Sequence, residues 1–115
     1  MTKRVVLVGM LAVSLSGATV LAQDAKKIAD GKKIYDSKQC AKCHAIAGKG
    51  EKISPLDGVG TKLSEEDIRH WLKAPTEMEA KLDHTPKVKM SSKKIVLTDP
   101  EIDAVTAYML SLKKK

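Results

Sequence analysis

"CAKCH", residues 40–44, holds both cysteines and the first of three histidines in a chain of 115 residues. Two thiols three positions apart open several kinds of site, and the rest of the chain has to choose among them. A redox dithiol of the thioredoxin kind follows a strand and starts a helix in a βαβ unit, and no run around residue 40 alternates as a strand would. A structural zinc site takes four nitrogen or sulfur ligands. Cys40, Cys43, His70 and His84 make four, but the 13 residues between the two later histidines do not match a finger spacing. An iron–sulfur cluster wants four ligands, generally all cysteine. A disulfide across two residues closes a very short loop, gains little, and leaves His44 without a purpose.

Haem attachment uses every residue of the motif. Two thiols at this spacing add to two vinyl groups as thioethers, and the next residue projects an imidazole toward the iron. C-x-x-C-H is the attachment signature for haem of the c type.

Outward from the motif, the N-terminus has the build of a secretory signal. Lys3 and Arg4 form a positive start, Val5 to Leu15 is almost wholly apolar, and Val20-Leu21-Ala22 ends in small residues suited to cleavage. Residues 1–22 are therefore expected to be a cleaved signal peptide, and residues 23–115 one domain. The alternative is a retained anchor, because Val5 to Ala22 is 18 residues of mostly apolar character. Cleavage would lower the formal charge from +7 to +5, since Lys3 and Arg4 leave and no acid does. The remaining domain has no Phe, one Trp and two Tyr. A small exported domain so short of large apolar residues needs a bound group to complete its core, and a haem would serve.

The pattern is all-α. Asp24 to Asp36 reads as a helix, with Gly31 placed in its interior at a cost of about 1 kcal/mol. Ala47 to Gly60 is rich in Gly, Pro and Lys and reads as loop. Ser64 caps a second helix, with Asp67 three residues on; Ile68, Trp71 and Leu72 form its apolar stripe, and Pro75 ends it. A short helix follows over Thr76 to Leu82, then an extended loop from Asp83 to Lys94. Thr98-Asp99-Pro100-Glu101 is a capping box for the last helix, whose buried face is Ile102, Val105, Tyr108, Met109 and Leu112. No strand, repeat or second domain is expected.

The mature chain, Asp24 to Leu112, resembles the small class I c-type cytochromes. The resemblance rests on "GKKIYDSKQCAKCH", where a glycine and an aromatic precede the haem motif, and on "EIDAVTAYMLSL", where Tyr108 would cross against that glycine. It implies a cytochrome c fold: three main helices, with short helices and loops, around one covalently bound haem c. It implies thioethers at Cys40 and Cys43, His44 as the proximal iron ligand, and Pro55 in "ISPLDGVG" as the residue whose carbonyl accepts from the imidazole. Such a bond sets the tautomer and makes the ligand more basic. It also places the distal methionine in the loop before the last helix, at Met90. Here Ser91-Ser92 follows the methionine, where many relatives have proline.

The other candidates for the sixth position are weighed against Met90. Met109 lies at helical spacing from Val105 and Leu112 and reads as core. Met78 stands between Glu77 and Glu79 and reads as a helix surface or flank. His70, beside Trp71, reads as solvated, and His84 in its charged loop is the rival ligand. A thioether is a soft ligand that favours ferrous iron, and His/Met coordination raises the potential. Two protein ligands leave no open position for substrate, so the chain is expected to be no enzyme. Trp71, Leu63, Ile68 and Leu72 are expected in the haem pocket, Trp71 either as plain core or as an indole donor.

Lys38, Lys42, Lys49, Lys52, Lys87, Lys89, Lys93 and Lys94 bracket the motif and the Met90 loop. They are either a solubilising surface or a rim that steers acidic redox partners. Nucleic acid is not expected as a partner, because no aromatic interleaving or known module accompanies the charge. Membrane contact is expected only if residues 1–22 are retained. The leading functional expectation is an exported, periplasmic single-haem cytochrome that carries single electrons between larger redox proteins. The alternatives are a haem subunit of an oxidoreductase complex and a ligand-binding or sensor haem.

Overall fold

A computed structural model describes Gly9 and residues 16–114, with side chains from Asp24 onward in the first helix. Most of the expected signal peptide lies outside the described residues. Among the described residues five α-helices follow in chain order: α1 (Ser16–Ser37), α2 (Val59–Lys62), α3 (Glu65–Lys73), α4 (Pro75–Ala80) and α5 (Asp99–Ser111). Two 3-10 turns, Cys40–Lys42 and Met90–Lys93, carry the residues of chemical interest. Among the described residues the only extended pairing is an isolated bridge between Ile46 and Lys49. None of the described helices is long and apolar enough to cross a membrane.

Local signals start α3 and α5. Ser64 Oγ accepts from the Asp67 backbone N–H at 3.1 Å, satisfying one of the unpaired donors of α3. Thr98 and Glu101 form the reciprocal capping box of α5: Thr98 N–H donates to Glu101 Oε1 at 2.9 Å, and Glu101 N–H donates to Thr98 Oγ1 at 3.4 Å. Such a cap is worth about 1 kcal/mol. Pro75 does not merely end α3. Ala74, in front of it, is held at φ −141°, off the helical region that proline disfavours for its predecessor, and Pro75 then becomes the first residue of α4. The short helix is Pro75–Ala80 instead of Thr76–Leu82, and α2 rises inside what reads as loop.

Helix α1 packs along α5, and their crossing sits at Gly31. A Cβ there would lie 2.1 Å from the Ala104 carbonyl oxygen and 2.8 Å from Tyr108 Cβ. The mid-helix glycine thus exchanges helix propensity for a close approach between backbones. Tyr35 and Tyr108, one from each helix, meet edge to face with ring centroids 5.8 Å apart and planes at 74°. They join Ile68, Val105 and Met109 in the core, so Met109 is core as its spacing implies. Helix α2 is tied to the far end of α5 by Gly60 N–H to Leu112 O (2.9 Å) and by Lys113 Nζ to Gly60 O (2.9 Å).

Candidate haem site

The motif occupies a tight turn directly behind α1. Gln39 leaves the helix in the left-handed region, and the Cys43 and His44 N–H groups both donate to Cys40 O, at 3.1 and 3.0 Å. The two thiols and the imidazole therefore belong to one turn. Both cysteines are free and half-buried. Burial pushes the Cys40 thiol above its ordinary value, because a thiolate would lose its hydration there.

A returning segment braces this turn. Ser54 N–H donates to Cys43 O and Leu56 N–H to Ala45 O, each at 2.9 Å. Between them the Ser54 carbonyl receives a bond from His44 Nδ1 at 2.7 Å. A carbonyl only accepts, so Nδ1 carries the proton and the Nε2 lone pair is left free. The carbonyl expected from Pro55 is thus supplied by Ser54. The reason is register: alternate residues 54 and 56 face the motif, while Pro55, which has no N–H to give, falls on the outward, exposed side.

Two further groups hold the turn, and neither contact was read from the sequence. The Tyr35 hydroxyl donates to His44 O at 3.0 Å, and burial pushes that phenol up to about 12. Gly50 lies at φ +101°, and a Cβ on it would stand 2.3 Å from His44 O. Only glycine lets this loop close over the motif. The one sequence signal for it is the Gly-Lys-Gly run at 48–50.

Met90 begins the second 3-10 turn and is half-buried. It lines a cavity of about 100 Å³ with Leu72 of α3, Pro75 of α4, and Ile95 and Leu97 of the segment leading to α5. Met78 differs from expectation: it is 9% exposed, not a surface residue. Its neighbours explain this, since Glu77 reaches back to His70 of α3 and Glu79 reaches the Met90 turn. Successive helix positions are about 100° apart, so Met78 points into the corner between those two contacts. His70 is half-buried and engaged by Glu77. His84 is exposed and bonded to neighbouring Asp83 at 2.7 Å, away from the Met90 cavity. Trp71 is half-buried on α3 and forms no wall of that cavity; the adjacent Leu72 does.

The donor set fits a covalently held haem. Two thiols sit in one turn beside an imidazole with a free Nε2, and a thioether stands elsewhere in a cavity lined by Leu72, Pro75, Ile95 and Leu97 together with Thr76, Ser91 and Lys94. Among the described residues no cluster of three or more His, Cys, Asp or Glu is arranged to hold a bare metal ion. The family model for cytochrome c matches residues 28–113. The chain belongs to the cytochrome c family. No curated protein and no solved structure matches it.

Membership makes this a haem-binding electron-carrier cytochrome of the class I, c-type kind, and its cofactor is covalently attached haem c. Cytochromes of this family are typically electron carriers, not enzymes. Of the eight lysines bracketing the site, seven are exposed. Lys38 is not free: its Nζ donates to Val96 O at 3.2 Å and pairs with Glu101 at 3.7 Å, joining the end of α1 to the start of α5.

Proposed function

We propose that this cytochrome is an exported single-electron shuttle whose haem is held by thioethers at Cys40 and Cys43, with His44 and Met90 on the two faces of the iron. The observation that carries the reading is the 2.7 Å bond from His44 Nδ1 to the Ser54 carbonyl. It commits the imidazole to one tautomer, points its basic nitrogen away from the protein backbone, and makes that nitrogen a better donor. When bound, haem iron supplies a one-electron couple whose potential a Met/His pair raises. The chain's own task is to keep both ligands in place and water out. Tyr35, Gly50 and Ser54 hold the turn on the His44 side; Leu72, Ile95 and Leu97 stand around Met90. With His44 and Met90 filling both ligand positions, the iron would change little in geometry between oxidation states and would keep no position open for substrate.

Export is supported by the Lys3-Arg4 start and the apolar run from Val5 to Leu15. The exposed lysines at 42, 49, 52, 87, 89, 93 and 94 suit acidic redox partners, with association weakening as salt rises.

Visible spectroscopy of the native exported protein, followed by Met90→Ala, tests the ligation. The wild type is expected to be low-spin with the weak red band of sulfur bound to ferric iron, and the variant is expected to lose that band. A band that persists unchanged assigns the sixth position to another residue.

A further inference from the structure

The residue after Met90 is held in an unusual way. Glu79, on α4, accepts the Ser91 backbone N–H at Oε1 (2.8 Å) and the Ser91 hydroxyl at Oε2 (2.7 Å). Both oxygens of one carboxylate thus close on one residue of the turn. Glu79 is partly exposed to water, and a carboxylate accepting from both an N–H and a hydroxyl forms charge-assisted bonds. The turn's other ties are internal: Ser92 donates to Lys89 O through its hydroxyl (2.6 Å) and its N–H (3.1 Å), and Lys94 N–H reaches Ser91 O at 3.4 Å. Ser91 and Ser92 impose none of the backbone restriction that a proline brings. Glu79 is itself anchored, because the preceding α4 turn is fastened to α3 through Glu77 and His70.

We infer that Glu79 is a positioning residue for the Met90 sulfur, acting through Ser91. The inference rests on the reading of Met90 as the distal ligand. A thioether is a weak ligand, and its hold depends on how little the loop gains by swinging away. By clamping Ser91 at both its backbone and its hydroxyl, Glu79 removes the freedom that a Ser-Ser sequence would otherwise give the turn. The carboxylate does the work on Met90 that ring rigidity does where proline follows the methionine.

The test uses the haem-loaded full chain and imidazole as a competing ligand for the ferric form. Met90→Ala, Glu79→Ala, Glu79→Gln, Ser91→Ala and the distant control Asp103→Asn are compared for imidazole affinity, the red sulfur–iron band and reduction potential. Glu79→Ala is expected to raise imidazole affinity about tenfold, the scale of a lost charge-assisted contact, with a weakened band and a lowered potential. Glu79→Gln keeps one acceptor oxygen and falls between. Ser91→Ala keeps the backbone contact and also falls between, and combined with Glu79→Ala it adds little, as partners in one interaction should. Asp103→Asn leaves all three readouts at wild-type values. If Met90→Ala changes them while Glu79→Ala, Glu79→Gln and Ser91→Ala do not, the positioning role is wrong and the ligation stands. If Met90→Ala changes nothing, the ligation and the positioning role fall together. Should Glu79→Ala fail to fold, Glu79→Gln and Ser91→Ala decide alone.

Discussion

Replacing Gly31 by alanine places one methyl group where two helix backbones meet. The new Cβ would stand 2.1 Å from Ala104 O and 2.7 Å from its carbonyl carbon, against a floor of 3.0 Å for real Cβ contacts. The obstacle is the backbone of α5, not a side chain that could rotate, so the two helices must separate by about 1 Å. Overpacking of this kind costs roughly 3 kcal/mol. Separation also loosens the Tyr35–Tyr108 edge contact, worth about 1 kcal/mol beyond its buried area. Alanine returns about 1 kcal/mol through better helix propensity. The net loss is about 3 kcal/mol, which for a domain of this size lowers the melting temperature by roughly 10–20 °C. Urea denaturation of the haem-loaded protein, followed by far-UV circular dichroism, measures it. Gly48→Ala is the companion measurement, because its Cβ meets nothing within 4 Å and only its φ of +78° opposes the change; strain alone costs about 1 kcal/mol. A Gly31→Ala protein as stable as the wild type, or more so, would refute the close-approach argument, since the propensity gain would then be unopposed.

Two other substitutions test separate parts of the fold. Thr106 is 1% exposed and its hydroxyl has no partner among the described residues, so Thr106→Val should stabilise by about 1 kcal/mol; a lower urea midpoint would mean that the hydroxyl is satisfied in solution. Asp103 is held below its ordinary value of 3.8 chiefly by its bond from Arg69, so its contribution is present above 3.8 and is lost as pH falls through the depressed folded value, where the unfolded chain binds the proton first. Urea midpoints across acid pH should show the wild type's advantage over Asp103→Asn shrinking below that point, and a constant difference would contradict it.

What could be read along the chain was whatever local chemistry decides. The Thr98–Glu101 box and the Ser64 cap are four-residue signals, and each starts a helix where it stands. The five residues of the haem motif carry their own meaning, and the cost of Gly31 inside a helix asked for a packing reason, which the family resemblance placed at Tyr108. Met109 followed from periodicity. Misplaced residues were those whose surroundings come from elsewhere. Met78 has acids on both sides in sequence, yet both acids are drawn away, to His70 and to Ser91, leaving the methionine buried. The short helix α2 depends on being tied to the end of α5, and its own four residues contain no signal for it.

The sequence by itself determined that this chain carries a covalent haem motif on a small helical domain, because thioether spacing, caps and apolar periodicity act over a few residues. Tertiary structure decided which groups serve that motif. Ser54, not Pro55, meets His44, since the returning segment pairs with the motif through the N–H groups of alternate residues 54 and 56, which leaves the Ser54 carbonyl on the motif side and Pro55 outward. The turn holding Met90 is braced by a carboxylate on α4, 11 residues upstream of the methionine. Contacts like these depend on how separate segments come to lie side by side, and that placement is settled only when α1 and α3 have each packed on α5.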